Sequence, residues 1–264
     1  MIRPRDVAGP TIVAALVVVA WYTLAYRLPN NFSPATGKPL IIPPPHRLFE
    51  DLNDVVRGRI VTGLMISART SVVGLSISMV LGVLTGTLMS RARWMERALW
   101  PYLVALQVTP IIALVPLIIK IVGANFAARV TVTVVITFFP IVSSTLFGLR
   151  GVGAALHDLF TLGGARRSSR LFLLELPAAA PAILNGFRTS AGLAVIGAIV
   201  GDFFFARGEP GLGRLVTLFF QNNQAGPMFV TAGCASALGF TLFVVFGWMN
   251  QILVGSWHEG RPNT

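Results

Sequence analysis

In a chain that is otherwise almost continuously apolar, the stretch Asp158 to Pro177, DLFTLGGARRSSRLFLLELP, is the longest segment that looks helical, polar and basic. Arg166, Arg167 and Arg170 crowd together there, with Gly163 and Gly164 before them. Such a segment must lie in water. Val152, Leu156, Leu159 and Phe160 recur at helical spacing, which describes an amphipathic helix, a glycine-permitted bend and a second short helix. Two short helices projecting from an apolar body make a docking surface.

The body is a membrane body. Hydrophobic residues are 54% of 264 positions and charged residues 12%; mean hydropathy is +0.74. These values exclude an ordinary water-soluble domain. The net charge of +11 raises nucleic acid as a partner, but the arginines are dispersed among apolar spans and form no basic, aromatic-interleaved face. Cys234 is the one cysteine, so neither an internal disulfide nor a thiolate metal cluster is available.

Six apolar runs read as spans, near 11–28, 64–89, 99–122, 130–149, 178–205 and 228–254, against the roughly 20 residues needed to cross a bilayer. Arg3 and Arg5 precede the first, which reads as a retained span with Trp21, Tyr22 and Tyr26 as interfacial anchors. Asn30 to Pro45 has the composition of an extended external loop, and His46 to Arg59 the spacing of an amphipathic helix lying at the interface or against the body. In the second span Gly74, Ser78, Gly82, Gly86 and Ser90 fall every fourth residue, a small-residue stripe for close helix packing. Arg69 near its start reads either as lining an anion route or as reaching the interface. Arg91, Arg93 and Arg97 in the loop that follows place that loop in the cytoplasm by the positive-inside tendency.

Pro101, Pro110 and Pro116 in the third span and Pro140 in the fourth free backbone groups that protein or a water-lined cavity must accept. Gln107, Thr109 and Pro110 are therefore candidates for a pathway wall, the other reading being kinks that serve packing. In the fifth span Gly186, Ser190, Ala194, Ala198 and Asp202 form a second small stripe, acidic at its outer end. Two small faces brought together, or repeated by a second copy, make a slim translocation seam, with Ser190 and Asp202 upon it; Asp202 reads as gate, as orienter, or as a water-capped interfacial residue. Arg188 lies off the stripe and reads as anchor or anion ligand. Gly and Pro signals mark 207–227 as a loop, and His258 to Thr264 as a polar tail.

The organising stretch also resembles a family motif, the cytoplasmic loop of permease subunits of bacterial ATP-binding-cassette importers: Glu-Ala-Ala, three residues, Gly, nine residues, Ile, one residue, Leu-Pro. Asp158 takes the acid, Gly164 the glycine, Leu174 the Ile, and Leu176 with Pro177 the closing pair, while Leu159 and Phe160 replace the alanines. PYLVALQVTPIIALVPLIIKIVG (101–123), FFPIVSSTLFGLRGV (138–152), LPAAAPAILNGFR (176–188) and GLG (211–213) look like the nitrate, sulfonate and taurine branch, so the resemblance covers roughly 42–254.

The resemblance implies an all-α polytopic membrane protein, a single permease domain over 1–264 with six transmembrane helices of the type I importer kind, both termini cytoplasmic in a bacterial inner membrane. Its coupling loop is 150–177, with Asp158, Leu159, Phe160, Gly164, Ala165, Arg166, Arg167, Leu176 and Pro177 as ATPase-coupling residues. The implied partners are an ATPase subunit dimer, a second permease copy, an extracytoplasmic substrate-binding protein and membrane lipid, without nucleic acid. ATP and Mg belong to the partner ATPase, with no cofactor on this chain, which has no Walker-type phosphate loop. The branch implies a small anion such as a sulfonate, taurine or nitrate, or a vitamin-like heterocycle. An enzyme reading lacks support, since His46, His157 and His258 all fall outside the spans. A stand-alone carrier or channel is the alternative; it has no use for a docking loop.

Overall fold

The computed structural model describes residues 4–34, 37–39, 41–204 and 208–254. The tail from His258 and the positions of both chain ends lie outside the described residues. Ten α-helices account for nearly all of the described chain: α1 (Pro4–Arg27), α2 (Asp54–Arg91), α3 (Arg93–Val108), α4 (Ile111–Val122), α5 (Phe126–Arg150), α6 (Ala154–Leu162), α7 (Arg167–Arg170), α8 (Leu176–Phe203), α9 (Leu212–Gln221) and α10 (Ala225–Val254). α2, α5, α8 with its approach, and α10 are each long and apolar enough to cross a membrane. The bent pair α3–α4 makes up to five, and the apolar part of α1, Thr11–Arg27, is shorter.

α5 is the central helix, held between α2 and α8 by the two small-residue stripes. A Cβ on Gly74 would meet Thr133 at 2.5 Å, one on Gly82 would meet Ile141 at 2.6 Å, and one on Gly186 would meet Ser144 at 2.7 Å. Helices in lipid gain little from apolar contact alone, so backbones that approach this closely are what associates them. Hydroxyls reinforce the contact: Ser78 donates to Val134 O at 3.1 Å and Ser190 to Thr137 O at 3.1 Å. Both stripes are thus covered by α5, and the seam that the sequence suggested between them is filled by a helix. Leu75, Ile141, Ala191 and Ala194 form the core at this level.

Three segments differ from the sequence expectation. The interfacial helix at His46–Arg59 does not exist as a unit. Pro45–Arg47 is one turn of 3-10 helix, and Asn53 caps α2, its side chain accepting from Val56 N at 2.9 Å. From that cap the helix runs unbroken for 38 residues, about 57 Å at 1.5 Å per residue. The third span is not one helix, because α3 and α4 are bent by 104°. The steric bulk of Pro110 keeps Thr109 out of helical conformation (φ −67°, ψ 127°). The loop 207–227 contains α9, whose Leu212, Leu215 and Phe219 are buried, the last two against Val56 and Ile60 of α2. The loop that follows α1 is non-helical where it is described, as expected, and is tied down by buried Asn31. Its amide donates to Ala25 O and Ile42 O and its carbonyl accepts from Ile41 N and Ile42 N. Trp21 joins this fastening by donating to Pro43 O at 3.0 Å.

α10 stays largely unburied, with 11% of its most apolar window inside the chain's own packing. That outer surface suits hydrocarbon or another helix.

Candidate functional site

The polar stretch of the sequence folds as expected into a small lobe at the Arg91 end of α2. α6 ends in a Schellman motif: Ala165 N donates to Phe160 O and Gly164 N to Thr161 O, both at 3.0 Å. Gly164 holds the left-handed position at φ +64°, where a side chain is strained even though the space around it is open. The bend returns the chain through α7, and Arg170 donates to Thr161 Oγ1 at 2.9 Å to close the lobe. No residue of α6 is buried. Asp158, Gly164, Arg166, Arg167 and Pro177 are exposed, Leu159 is 62% exposed, and Phe160, Ala165 and Leu176 are half-buried. Leu162, at 87%, is more exposed still. A helix that carries bare leucines and contributes nothing to its own protein's core is chemically suited to a groove on another protein.

Between lobe and body lies a π-helical turn, Leu171–Glu175. It precedes Pro177, which lacks the N–H a regular helical register would use. Glu175 is buried and receives Arg91 of α2 at 2.6 and 3.4 Å, a two-pronged pair. Arg150, at the end of α5, pairs with Glu96 of α3. Sequence reasoning passed over both pairs. The signal for the first was present, since Glu175 is the only carboxylate between Asp158 and Asp202. A cavity of about 860 Å³ opens beside these pairs, with His157 of α6 on its wall.

At the opposite end, Asp202 is 1% exposed. Its Oδ1 lies 3.1 Å from Arg129 Nε of α5, and its Oδ2 accepts from Ser67 Oγ of α2 at 3.2 Å. Ser67 Oγ in turn accepts from Leu212 N at 2.9 Å, while Arg129 donates to Glu209 O at 3.2 Å. One carboxylate therefore joins α2, α5, α8 and the Gly211–Gly213 turn. Asp202 lies inside the helix packing and not on an open surface. Ser190 likewise faces α5. Arg129, one residue before the expected start of the fourth span, was not singled out; a lone arginine entering an apolar run opposite a lone aspartate was its signal.

Gln107, Thr109 and Pro110 sit exposed at the α3–α4 bend, Thr109 Oγ1 donating to Ala105 O at 2.7 Å. Arg188 lies within α8, its guanidinium 4.2 Å from the Phe243 ring centre and close against Gly247 of α10. Arg69 lies 4.8 Å over the Phe126 ring.

Long apolar helices packed through small residues, with an exposed two-helix lobe at one end, define a polytopic membrane subunit. The chain belongs to the binding-protein-dependent transport system inner membrane component family, whose profile matches residues 78–254. It is 32% identical over 258 residues to the formylaminopyrimidine transport permease protein ThiX of Halalkalibacterium halodurans, covering 96% of this chain and 98% of that one. It is 36% identical over 162 residues to the riboflavin transport system permease protein RibX of Chloroflexus aurantiacus, covering 61% and 60%. With the putative aliphatic sulfonates permease SsuC of Bacillus subtilis it shares 27% over 206 residues, 78% and 70% of the two chains. In fold it matches a chain of the MetNI methionine ABC transporter in inward-facing form, with TM-score 0.66 and 17% identity over 76% of this chain and 99% of the other. The fold is that of type I ABC importer permeases.

Proposed function

We propose that this permease carries a small nitrogen heterocycle, of the formylaminopyrimidine kind, across the membrane as one half of a permease pair. The end-to-end similarity to ThiX carries this reading, since it spans 98% of that protein at 32% identity. The sulfonate permease is matched over less of its length and at lower identity.

In the mechanism, an ATPase subunit dimer takes up ATP and Mg, and each ATPase seats the exposed face of α6 in a groove, with Asp158, Leu159, Phe160 and Leu162 as the contact. Gly164 fixes the angle between α6 and α7, and Ala165, Arg166 and Arg167 present the basic flank. Closure of the ATPase dimer moves the lobe. Leu176 and Pro177 lead that movement into α8, and the Arg91–Glu175 pair passes it to α2. At the far end the Asp202–Arg129 contact holds the Gly211–Gly213 turn against both helices, so tilting of α8 reaches the side on which a binding protein delivers substrate. The lobe end faces the cytoplasm. Gln107, Thr109 and Pro110, exposed at the bend, line the shared pathway, whereas Ser190 and Asp202 hold helices together.

The test is ATP-dependent uptake into proteoliposomes carrying this chain, its ATPase and its binding protein. Labelled formylaminopyrimidine accumulates and taurine does not. Taurine uptake without pyrimidine uptake overturns the substrate class, and equal uptake without ATP or ATPase returns the chain to the stand-alone carriers.

A further inference from the structure

The cavity of about 860 Å³ at the lobe end has a charge balance that the coupling mechanism does not use. Arg91, Arg93, Arg97 and Arg150 line it, against the two carboxylates Glu96 and Glu175. Both carboxylates are already engaged, by Arg150 and Arg91 respectively. Among the described residues, no carboxylate lies within ion-pair distance of Arg93 or Arg97. Arg93 and Arg97 thus line a concave space with no counter-charge of their own. The volume falls within the roughly 300–1,000 Å³ of small-ligand sites.

The same wall carries Trp100 and Pro101. Along α3, Trp94 is 71% and Tyr102 75% exposed. Tryptophan and tyrosine with one apolar side and one polar tip settle at the membrane–water boundary. The cavity therefore lies where the spanning helix α2 ends and where α3 exposes aromatics of the kind that settle at a membrane surface.

We propose that this cavity is a binding site for the phosphate of an anionic phospholipid headgroup, held by Arg93 and Arg97, with the glycerol and acyl stem along Trp100 and Pro101. The Arg91–Glu175 and Arg150–Glu96 pairs form its floor, so an occupied site braces the junction between α2, α5 and the approach to α8. The site is independent of which solute the permease carries.

The test uses the full chain in nanodiscs of phosphatidylcholine alone or mixed with phosphatidylglycerol, with lipids that survive delipidation read by native mass spectrometry. Wild type retains phosphatidylglycerol over phosphatidylcholine. Arg93→Gln and Arg97→Gln each lower that retention about fivefold, from ~1 kcal/mol per basic residue near an anionic surface. Arg93→Lys keeps most of it, and Arg57→Gln, at the other end of α2, changes nothing. Excess inorganic phosphate leaves the lipid in place. Equal retention of the two lipids by wild type overturns the proposal without recourse to any variant, as does unchanged retention in a folded Arg93→Gln/Arg97→Gln double variant. Full displacement by inorganic phosphate assigns the site to a free anion instead.

Discussion

A methyl group on Gly211 would overlap the carboxylate of Asp202, so this glycine is what lets the turn before α9 settle on a buried acid. The contact continues through Ser67, which donates to Asp202 and accepts from Leu212 N. Removing one member of a buried ion pair strands the other, at a cost of about 3–5 kcal/mol. Asp202→Ala removes both the carboxylate beside Arg129 and the acceptor of Ser67, and lowers the melting temperature of the detergent-purified chain markedly. Gly211→Ala also lowers it, by driving the turn off the same carboxylate. Because the two act on one contact, the double variant loses less than the sum. Full additivity contradicts a shared contact.

Leu159→Asp separates docking from folding. The residue is 62% exposed, and α6 contributes nothing to the core. The variant melts with wild type, yet fails to co-purify with the ATPase. A variant that still binds the ATPase normally contradicts the assignment of this face.

Packing of α2 on α5 is testable with two glycines. Gly82→Leu forces a side chain into Ile141, and overpacking of this kind costs about 1–3 kcal/mol or more. Gly192 in α8 has no neighbour within 4 Å of a built Cβ, so Gly192→Ala leaves thermal stability equal or slightly raised, by up to about 1 kcal/mol of helix propensity. Equal losses from both contradict the stripe as the packing surface.

Glu175→Gln probes the link between lobe and body. The lobe's exposed surface is untouched, so the ATPase still binds. Arg91 loses its charged, two-pronged partner, and ATP hydrolysis no longer rises when loaded binding protein is added. Retained stimulation in reconstituted vesicles contradicts a coupling role for the pair.

Four of the six expected spans, those of α2, α5, α8 and α10, and the helix–bend–helix of the lobe were legible because their signals are local: sustained hydropathy, small residues every fourth position, and glycines before an arginine cluster. The break at Thr109–Pro110 was half legible. The prolines are plain in the sequence, but whether a proline bends a helix or ends it depends on the residue before it and on what accepts the freed groups. α9 was hidden by the Gly and Pro signals around it, although Leu212, Leu215 and Phe219 already marked one helical face. The two stripes were found, yet not that one helix, α5, fills both. Arg91–Glu175 and Arg129–Asp202 join residues 84 and 73 positions apart, and no periodicity in a single sequence reports such a distance.

The most direct measurement of the central claim, that α6 is where an ATPase engages this permease, is site-specific photocrosslinking in membranes. A photoreactive residue in place of Leu159 forms a crosslinked product with the ATPase. The same residue in place of Phe220, 70% exposed on α9 at the other end of α2, does not. Crosslinking from position 220 but not from 159, or from neither in a complex that hydrolyses ATP, contradicts it.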